Sequence, residues 1–369
     1  MDTKKVNLYD ASLTDLSSAM LDWGQPAFRA RQLYRQLYTR CVGSIEEMTG
    51  LPAELRERMA GESILGAMEL VDVRKGDQGL TRKAIWCLPG GETIESVLMI
   101  YPDRATVCVS SQAGCPMGCV FCATARLGFL QNLSPGDMVQ QVIWAAREIR
   151  AMQDQPVAKN THRVRPGNVP PHLTNVVFMG MGEPFNNYDN WWASVERLHD
   201  PEGFNLGARS FTVSTVGLIP GIEKLMQAPL PVNLAISLHT AYDERRSALM
   251  PVNRRYPIAD LIAASRAYTA KTGRRVSFEY CLIAGENDSA DEAEALANLL
   301  LEERFPCHVN LIPWNPVAGT GLARSTRASV NTFKALLDGR GVPCSIRIQR
   351  GMDIDAACGQ LAGSYVEKE

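Results

Sequence analysis

The chain has 369 residues, of which 46% are hydrophobic and 21% charged, enough to form a large core and one big domain plus a small one. Its longest apolar stretches, such as 96–101 and 173–181, are too short to cross a bilayer, and MDTKKVNLYD lacks the apolar core of a signal peptide, which predicts a cytoplasmic protein without a membrane partner. The formal net charge of −2 excludes a uniformly basic nucleic-acid coat, so any RNA surface must be a local patch.

The first 68 residues read as a small helical domain. Ser12 is a helix start signal, and FRARQLYRQLYTR is strongly amphipathic. The predicted apolar stripe of this helix consists of Leu33, Tyr34, Leu37 and Tyr38. The arginines outside the stripe are Arg29, Arg35 and Arg40. They could form an RNA-contacting face, although a simple solvated helix surface explains them at least as well.

Residues 69–104 and 105–369 follow two different patterns. In 69–104, short alternating runs separated by GD, GG and PD predict an antiparallel β-meander that connects the two domains. From residue 105 onward, short apolar strands alternate with helix-length amphipathic segments, which predicts an α/β barrel with its site at the carboxyl ends of the strands. The Pro-, Asn- and Gly-containing stretch 151–173 interrupts this rhythm and predicts an extended loop.

Three of the ten cysteines form a compact motif directly after the first barrel strand. In SSQAGCPMGCVFCATARLGF, Cys115, Cys119 and Cys122 have the spacing C-x-x-x-C-x-x-C. Three thiolates on one loop suit a single cuboidal [4Fe–4S] cluster whose fourth iron is open to a small molecule. Zinc is the alternative, but zinc knuckles usually combine C-x-x-C pairs to give four ligands, and the sequence offers no second pair.

This motif, including the aromatic Phe121 between two cysteines, resembles that of the radical S-adenosylmethionine superfamily. The resemblance implies a partial (β/α)6 TIM-like barrel, and motifs at successive strand ends resemble the superfamily's elements that bind S-adenosylmethionine. The residues implied to contact that cofactor are Gly182 and Glu183 in MGMGEP, Ser214 in VSTVG, Ser237, Leu238 and His239 in ISLHT, and Asn315 in LIPWNP.

Over nearly the whole length, the sequence is similar to the bacterial RlmN-type dual-specificity RNA adenine C2-methyltransferases. Cys358 in DIDAACGQL matches the family's methyl-carrying cysteine, and Cys108 in RATVCVSSQ matches its resolving thiol. Glu95 in TIESVLMIYPDR aligns with the proton acceptor. One departure is GMD at 351–353, where the family usually has GDD, so a carboxylate at the middle position is not available.

The resemblance implies a radical reaction that consumes two S-adenosylmethionine molecules per turnover. Carbon 2 of adenine lies between two ring nitrogens and is too electron-poor to displace a methyl group from a sulfonium. Cys358 would accept a methyl group, a 5′-deoxyadenosyl radical would activate it, and the RNA would be joined to Cys358 through a thioether that Cys108 later resolves. The implied substrates are 23S rRNA near the peptidyl-transferase centre and the tRNA adenine 3′ of the anticodon. Flavodoxin or ferredoxin is the implied electron donor, and the protein is expected to be a monomer.

Two other functions remain open at this point. Methylation of adenine carbon 8 in the same rRNA would use the same cluster and the same working cysteines, and would confer antibiotic resistance. An iron–sulfur electron carrier or RNA-binding module without catalysis belongs to another class. The scattered cysteines are predicted to be buried and inert. They are Cys41, Cys87, Cys281, Cys307 and Cys344.

Overall fold

A computed structural model describes residues 5–153, 169–302 and 304–362 of the chain. The amino-terminal region contains helices α1 (Leu13–Asp22), α2 (Phe28–Tyr38) and α3 (Ala53–Glu62). The short strands β1 (Val6–Asn7) and β2 (Ser63–Ile64) lie before α1 and after α3. They pair in parallel, so the two ends of this region lie side by side. These elements occupy the stretch for which the sequence predicts a small helical domain.

Two local predictions in this region are confirmed. Ser12 caps α1, because its side chain accepts a hydrogen bond from the backbone N–H of Asp15, whose carboxylate in turn accepts one from the Ser12 N–H. The four residues of the predicted apolar stripe of α2 are all buried, so this face anchors α2.

The main part of the molecule is built on one sheet of ten strands with helices between them. Its antiparallel strands are β3 (Glu69–Gly76), β4 (Thr81–Cys87) and β5 (Thr93–Ile100). Its parallel strands are β6 (Ala105–Cys108), β9 (Asn175–Phe178), β10 (Phe211–Thr215), β11 (Asn233–Ser237), β12 (Val276–Leu282), β13 (Cys307–Pro313) and β14 (Cys344–Ile346). A separate hairpin consists of β7 (Gln112–Gly114) and β8 (Phe129–Asn132).

Helices connect the parallel strands. They are α4 (Pro135–Gln153), α5 (Tyr188–His199), α6 (Ile219–Gln227), α7 (Asp243–Leu249), α8 (Ile258–Thr272), α9 (Ala290–Glu302) and α10 (Arg327–Gly339). The predicted meander is confirmed, because β3, β4, β5 and β6 pair antiparallel in that order. From β6 to β14 every neighbouring pair is parallel, and β3 and β14 are the two edges of the sheet. This open parallel arrangement confirms the predicted partial barrel.

Helix α4 is longer than the sequence suggested. It continues through Gln153, so the predicted loop at 151–173 begins with a helical turn, and residues 154–168 lie outside the described part of the chain. No helix in the described ranges is both long enough and apolar enough to cross a bilayer.

Candidate active site

A cavity of about 200 Å³ opens at the carboxyl ends of the parallel strands, where barrel enzymes place their sites. Most of the residues singled out in the sequence line it: Cys108, Cys122, Gly182, Glu183, Ser214, Ser237, His239, Asn315 and Cys358. The side chains of Cys115, Cys119, Leu238 and Glu95 are not part of this lining. The fold thus brings together residues that lie up to 250 positions apart, since 358 − 108 = 250.

The loop that carries the three-cysteine motif has a tightly folded backbone. The N–H of Cys115 donates to the carbonyl of Gly128 at 2.8 Å, and the N–H of Cys122 donates to the carbonyl of Cys119 at 3.2 Å. Gly114 has a φ of +68°, and a Cβ at this position would collide with the Gly128 carbonyl oxygen. Only glycine satisfies both constraints.

The chemistry of the three thiols fits a cationic iron–sulfur cluster. Burial and the neighbouring thiols Cys122 and Cys115 raise the pKa of Cys119 well above its usual value, and burial raises the pKa of Cys115 to about 12. Closely spaced buried thiols become thiolates only when a cation compensates their charge. The described residues contain no group of three His, Cys, Asp or Glu side chains placed to hold a single metal ion, whereas the thiolates of a cuboidal cluster bind different irons.

Glu183 provides a buried carboxylate beside this loop. Its Oε2 accepts a hydrogen bond from the N–H of Val216 at 2.8 Å, and its Oε1 accepts one from the N–H of Phe185 at 3.1 Å. Burial raises its pKa to about 7, so a bound ammonium group would favour its charged form. Gly182 lets the backbone approach closely, because a Cβ there would lie 2.5 Å from the Gln112 side chain.

The end of β11 is held by an arginine that the sequence analysis missed. Arg246 is fully buried and donates to the carbonyls of Ser237, Leu238 and Val216 at 2.8, 3.1 and 2.8 Å. Leu238 packs into the core, while the Nδ1 of His239 accepts a hydrogen bond from the N–H of Cys281 at 2.9 Å. Burial lowers the pKa of His239 to about 3, so the ring is neutral at physiological pH.

The carboxyl-terminal loop that carries Cys358 is tied to the barrel mouth by hydrogen bonds. The Asn315 Nδ2 donates to the carbonyl of Cys358 at 3.1 Å. The carbonyl of Gly359 accepts from the N–H of Ala123 at 2.8 Å, and the carbonyl of Leu361 accepts from the Thr124 hydroxyl at 2.6 Å. Asn315 therefore holds the backbone of this loop in addition to lining the cavity, and Cys358 itself remains exposed.

Cys108 and Cys358 share one cationic neighbour, Arg347. Cys108 is buried at the end of β6, where burial first and then the nearby Cys358 raise its pKa to about 12, while Arg347 opposes that rise. The interaction with Cys358 is in turn the main cause that raises the pKa of Arg347. The Arg347 guanidinium also lies 3.6 Å from the Glu279 carboxylate. Both predicted thiols therefore interact with the positive charge of Arg347, whose position beside them the sequence did not reveal.

Cys281 is the second unexpected member of this group. It was predicted to be an inert buried thiol, and it is buried, but it lines the cavity and interacts electrostatically with Cys358 and Cys122. Its position follows from β12, whose alternating residues 277, 279 and 281 line the barrel interior. This strand periodicity is the signal that could have identified it.

Glu95 lies behind the cavity wall in a buried ion pair. Its carboxylate is 3.4 Å from the Lys83 Nζ on the neighbouring strand, and the two side chains are 1% and 3% exposed. Burial raises the pKa of Glu95 against the opposing effect of Lys83. Lys83 also donates to the carbonyl of Asp355 at 3.1 Å, so this pair is connected to the loop that carries Cys358.

The open parallel barrel with a three-cysteine loop at its mouth defines the class of radical S-adenosylmethionine enzymes. A sequence model described as "Radical SAM superfamily" matches residues 109–300. A crystal structure of a radical SAM methyltransferase from Sphaerobacter thermophilus superposes with a TM-score of 0.91 at 45% identity, covering 97% of this chain and 100% of that chain.

The particular family follows from the amino-terminal region and from full-length relatives. Residues 6–65 match a model described as "Ribosomal RNA large subunit methyltransferase N-terminal domain". Proteins described as probable dual-specificity RNA methyltransferase RlmN are 58% identical in Chloroflexus aurantiacus (97% of this chain, 93% of the relative) and 54% identical in Roseiflexus castenholzii (97% and 96%). The chain belongs to the RlmN family of dual-specificity RNA methyltransferases. It is a radical S-adenosylmethionine RNA methyltransferase whose cofactors are a cysteine-bound [4Fe–4S] cluster and S-adenosylmethionine.

Proposed function

We propose that this enzyme methylates carbon 2 of adenine in 23S rRNA, near the peptidyl-transferase centre, and in tRNA, at the adenine 3′ of the anticodon. The observation that carries the proposal is the grouping of Cys358, Cys108 and Arg347 in the cavity beside the three-cysteine loop. A methyltransferase that moved a methyl group directly from cofactor to substrate would have no use for two thiols within electrostatic reach of each other. A reaction in which one thiol carries the methyl group covalently and the other releases the product needs both thiols.

The cofactors are assigned to specific residues in this proposal. Cys115, Cys119 and Cys122 hold the cluster, and Glu183 with Gly182 receives the amino group of S-adenosylmethionine, supported by the solvent-shielded carboxylate described above. Ser214, Ser237 and His239 line the remaining wall. When bound and reduced by flavodoxin or ferredoxin, the cluster and S-adenosylmethionine supply the hydrogen-abstracting power that an electron-poor ring carbon requires.

Cys358 acts first, as the methyl acceptor. It is exposed and lies within electrostatic reach of Arg347, and a cysteine thiolate is the nucleophile toward a sulfonium methyl group. A new carbon–sulfur bond forms while the sulfonium bond breaks, and one S-adenosylmethionine is used for this step alone. The hydrogen bond from Asn315 fixes the loop during the transfer.

Glu95 and Cys108 complete the reaction. Once the activated methylene carbon on Cys358 has bonded to carbon 2, the adduct loses one electron, which the bound cluster would take up, and the carbon-2 proton. By resemblance Glu95 is the proton acceptor, and its side chain, behind the cavity wall, is connected to the Cys358 loop through Lys83. The Cys108 thiolate then attacks the Cys358 sulfur. The sulfur–carbon bond to the RNA breaks, its electron pair stays on the product, and the methylene carbon gains a proton to become the methyl group. Two thiols of the cytoplasmic pool reduce the resulting disulfide.

The RNA is bound so that its adenine leaves the stack and enters the barrel mouth. Arg35 of α2 and Arg40, two residues after the end of that helix, are exposed, whereas Arg29 is half-buried and lies 4.9 Å from the Phe28 ring centre. Arg150 of α4 reaches the same surface, since it donates to the carbonyl of Thr39 at 2.8 Å. These side chains form a local basic patch for phosphates, as the net charge requires, and the enzyme works as a monomer.

Mass mapping of RNA tests the proposed position and substrates. RNA from cells lacking the gene should lose 2-methyladenosine from both 23S rRNA and tRNA, and expression of the intact gene should restore it in both. A new 8-methyladenosine in the complemented cells would instead support the carbon-8 alternative. Restoration in only one RNA class would contradict the proposed dual specificity.

A further inference from the structure

The barrel encloses a second, larger cavity at the end opposite to the active site. It has a volume of about 910 Å³ and is lined by residues near the amino ends of the parallel strands, among them Thr106, Asn175, Asn233 and Ser277. Barrel interiors are normally filled by bulky branched side chains. Here short polar side chains take those positions, so the lower half of the barrel remains open.

The two cavities are distinct. Along β10 and β11, Thr212 and Asn233 face the lower cavity, whereas Ser214 and Ser237 face the active site. Arg347 and Glu279 line both cavities and form an ion pair at 3.6 Å between them. This pair acts as a partition, so a ligand can occupy the lower cavity without displacing S-adenosylmethionine.

The lower cavity is rich in positive charge. Besides Arg347, its lining includes Arg104, Arg209, Arg274 and Arg275. Glu279 is the lining's one carboxylate among the described residues, and it is already engaged by Arg347 and by the Asn310 Nδ2, which donates to it at 2.8 Å. Among the described residues that line the cavity, the excess charge therefore has no counterpart.

Two exposed arginines of the lining, Arg209 and Arg275, form the entrance of the lower cavity and are available for a ligand. Within residues 5–153, 169–302 and 304–362, the guanidinium groups of Arg209 and Arg275 make no hydrogen bond or ion pair, and both residues are exposed. Arg274 donates to the Asn233 side chain, yet its Nε is shielded from solvent and has no hydrogen-bond partner in the described chain. Planar guanidinium forks match phosphate oxygens, and several of them suit several phosphates.

We propose that the lower cavity is a binding site for a small anion that carries two or more phosphate groups. The volume is within the range of ligand sites, about 300–1,000 Å³, and the amide and hydroxyl side chains supply donors and acceptors for an attached nucleoside. This site goes beyond the methyl transfer, because no step of that reaction uses Arg104, Arg209, Arg274 or Arg275. Its chemistry is shared by inorganic polyphosphate and nucleoside polyphosphates.

Calorimetric titration of the enzyme, with its cluster assembled and S-adenosylmethionine saturating, tests the proposal. Inorganic tripolyphosphate and ATP are the two probes, and saturating S-adenosylmethionine keeps ATP out of the active site. At least one probe should bind with one-to-one stoichiometry. ATP binding at least tenfold tighter than tripolyphosphate would identify a nucleotide site, and equal binding would identify a polyphosphate site.

The variant Arg209→Ala/Arg275→Ala should weaken binding of that probe at least tenfold, because both side chains face the ligand and neither supports the fold by a contact. The charge-keeping variant Arg209→Lys/Arg275→Lys should lose less. The control Arg327→Ala/Arg340→Ala removes two exposed arginines at the ends of α10, outside the cavity, and should stay within twofold of wild type. Absence of saturable binding, or equal losses in the alanine variant and the control, would overturn the proposal. So would binding of a short RNA alone, which would make the entrance part of the RNA surface.

Discussion

The two thiols of the active site differ in how the chain holds them. Cys108 belongs to β6, where it pairs with Val97 on one side and Val177 on the other, and it is buried. Cys358 lies outside regular secondary structure, is exposed, and is held through the backbone carbonyls of its loop. One thiol lies in a strand and is shielded, and the other lies in a loop and is exposed. This contrast fits the proposed reaction, in which Cys358 carries the methyl group and Cys108 reacts only in the last step.

The largest expected effect comes from removing the exposed thiol. Cys358→Ala should lower methylation below detection while leaving the cluster assembled, because Cys358 is the one exposed thiol among the described residues that line the cavity. Quantification of methyladenosine by mass spectrometry, together with iron analysis, checks this. Cys344→Ala removes a half-buried thiol outside the cavity and should keep at least half of the activity. Residual methylation by Cys358→Ala would contradict the assignment of Cys358 as the methyl acceptor.

The ion pair between Lys83 and Glu95 is connected to the loop that carries the exposed thiol, so its loss should destabilise the fold beneath that loop. Lys83→Met leaves a buried carboxylate without its partner and removes the hydrogen bond to Asp355. Such a change should lower the free energy of unfolding by about 3–5 kcal/mol, measured by chemical denaturation. Lys83→Met/Glu95→Gln should recover most of that stability. Equal instability of Lys83→Met and Lys83→Met/Glu95→Gln would mean that Lys83 does not stabilise the fold by neutralising the Glu95 carboxylate.

Arg347 interacts with both thiols, and its removal tests whether its charge or only its packing matters for their reaction. Arg347→Met should slow the attack of Cys108 on Cys358 by about 10–100-fold near neutral pH, because Arg347 opposes the burial that raises the pKa of Cys108. The rate at which the RNA–protein adduct disappears on denaturing gels measures this step. Raising the pH should restore part of the rate, and Arg347→Lys should restore more. A slow rate that does not respond to pH would indicate a purely structural role.

The shielding of Cys108 predicts a pH dependence of its own. Since burial raises its pKa from 9.0 to about 12, the thiolate fraction should increase about tenfold per pH unit over roughly pH 7 to 9. The rate of iodoacetamide labelling of Cys108, followed by peptide mass spectrometry in the cluster-loaded enzyme, should rise accordingly. Labelling that levels off below about pH 9 would mean that burial does not raise the pKa of Cys108, which contradicts the comparison.

The sequence predicted the features that depend on short-range patterns. The strand periodicity, the stripe of α2 and the three-cysteine loop each need only local spacing, and the resemblance supplied Cys108 and Cys358. Arg347, Arg246 and Lys83 could not be recognised, because their roles depend on which strands are neighbours and on the register between them. The partnership of Lys83 with Glu95 requires the pairing of β4 with β5, which no local pattern states.

The central claim is that Cys358 carries the RNA and Cys108 releases it. The direct measurement is a denaturing gel of Cys108→Ala and Cys358→Ala enzyme isolated from cells, run with and without nuclease. We expect Cys108→Ala to accumulate as a slower band that nuclease removes, because the thioether forms and lacks its resolving thiol. Cys358→Ala should show a single band under both conditions. An unshifted Cys108→Ala band, or a nuclease-sensitive band in Cys358→Ala, would contradict the account.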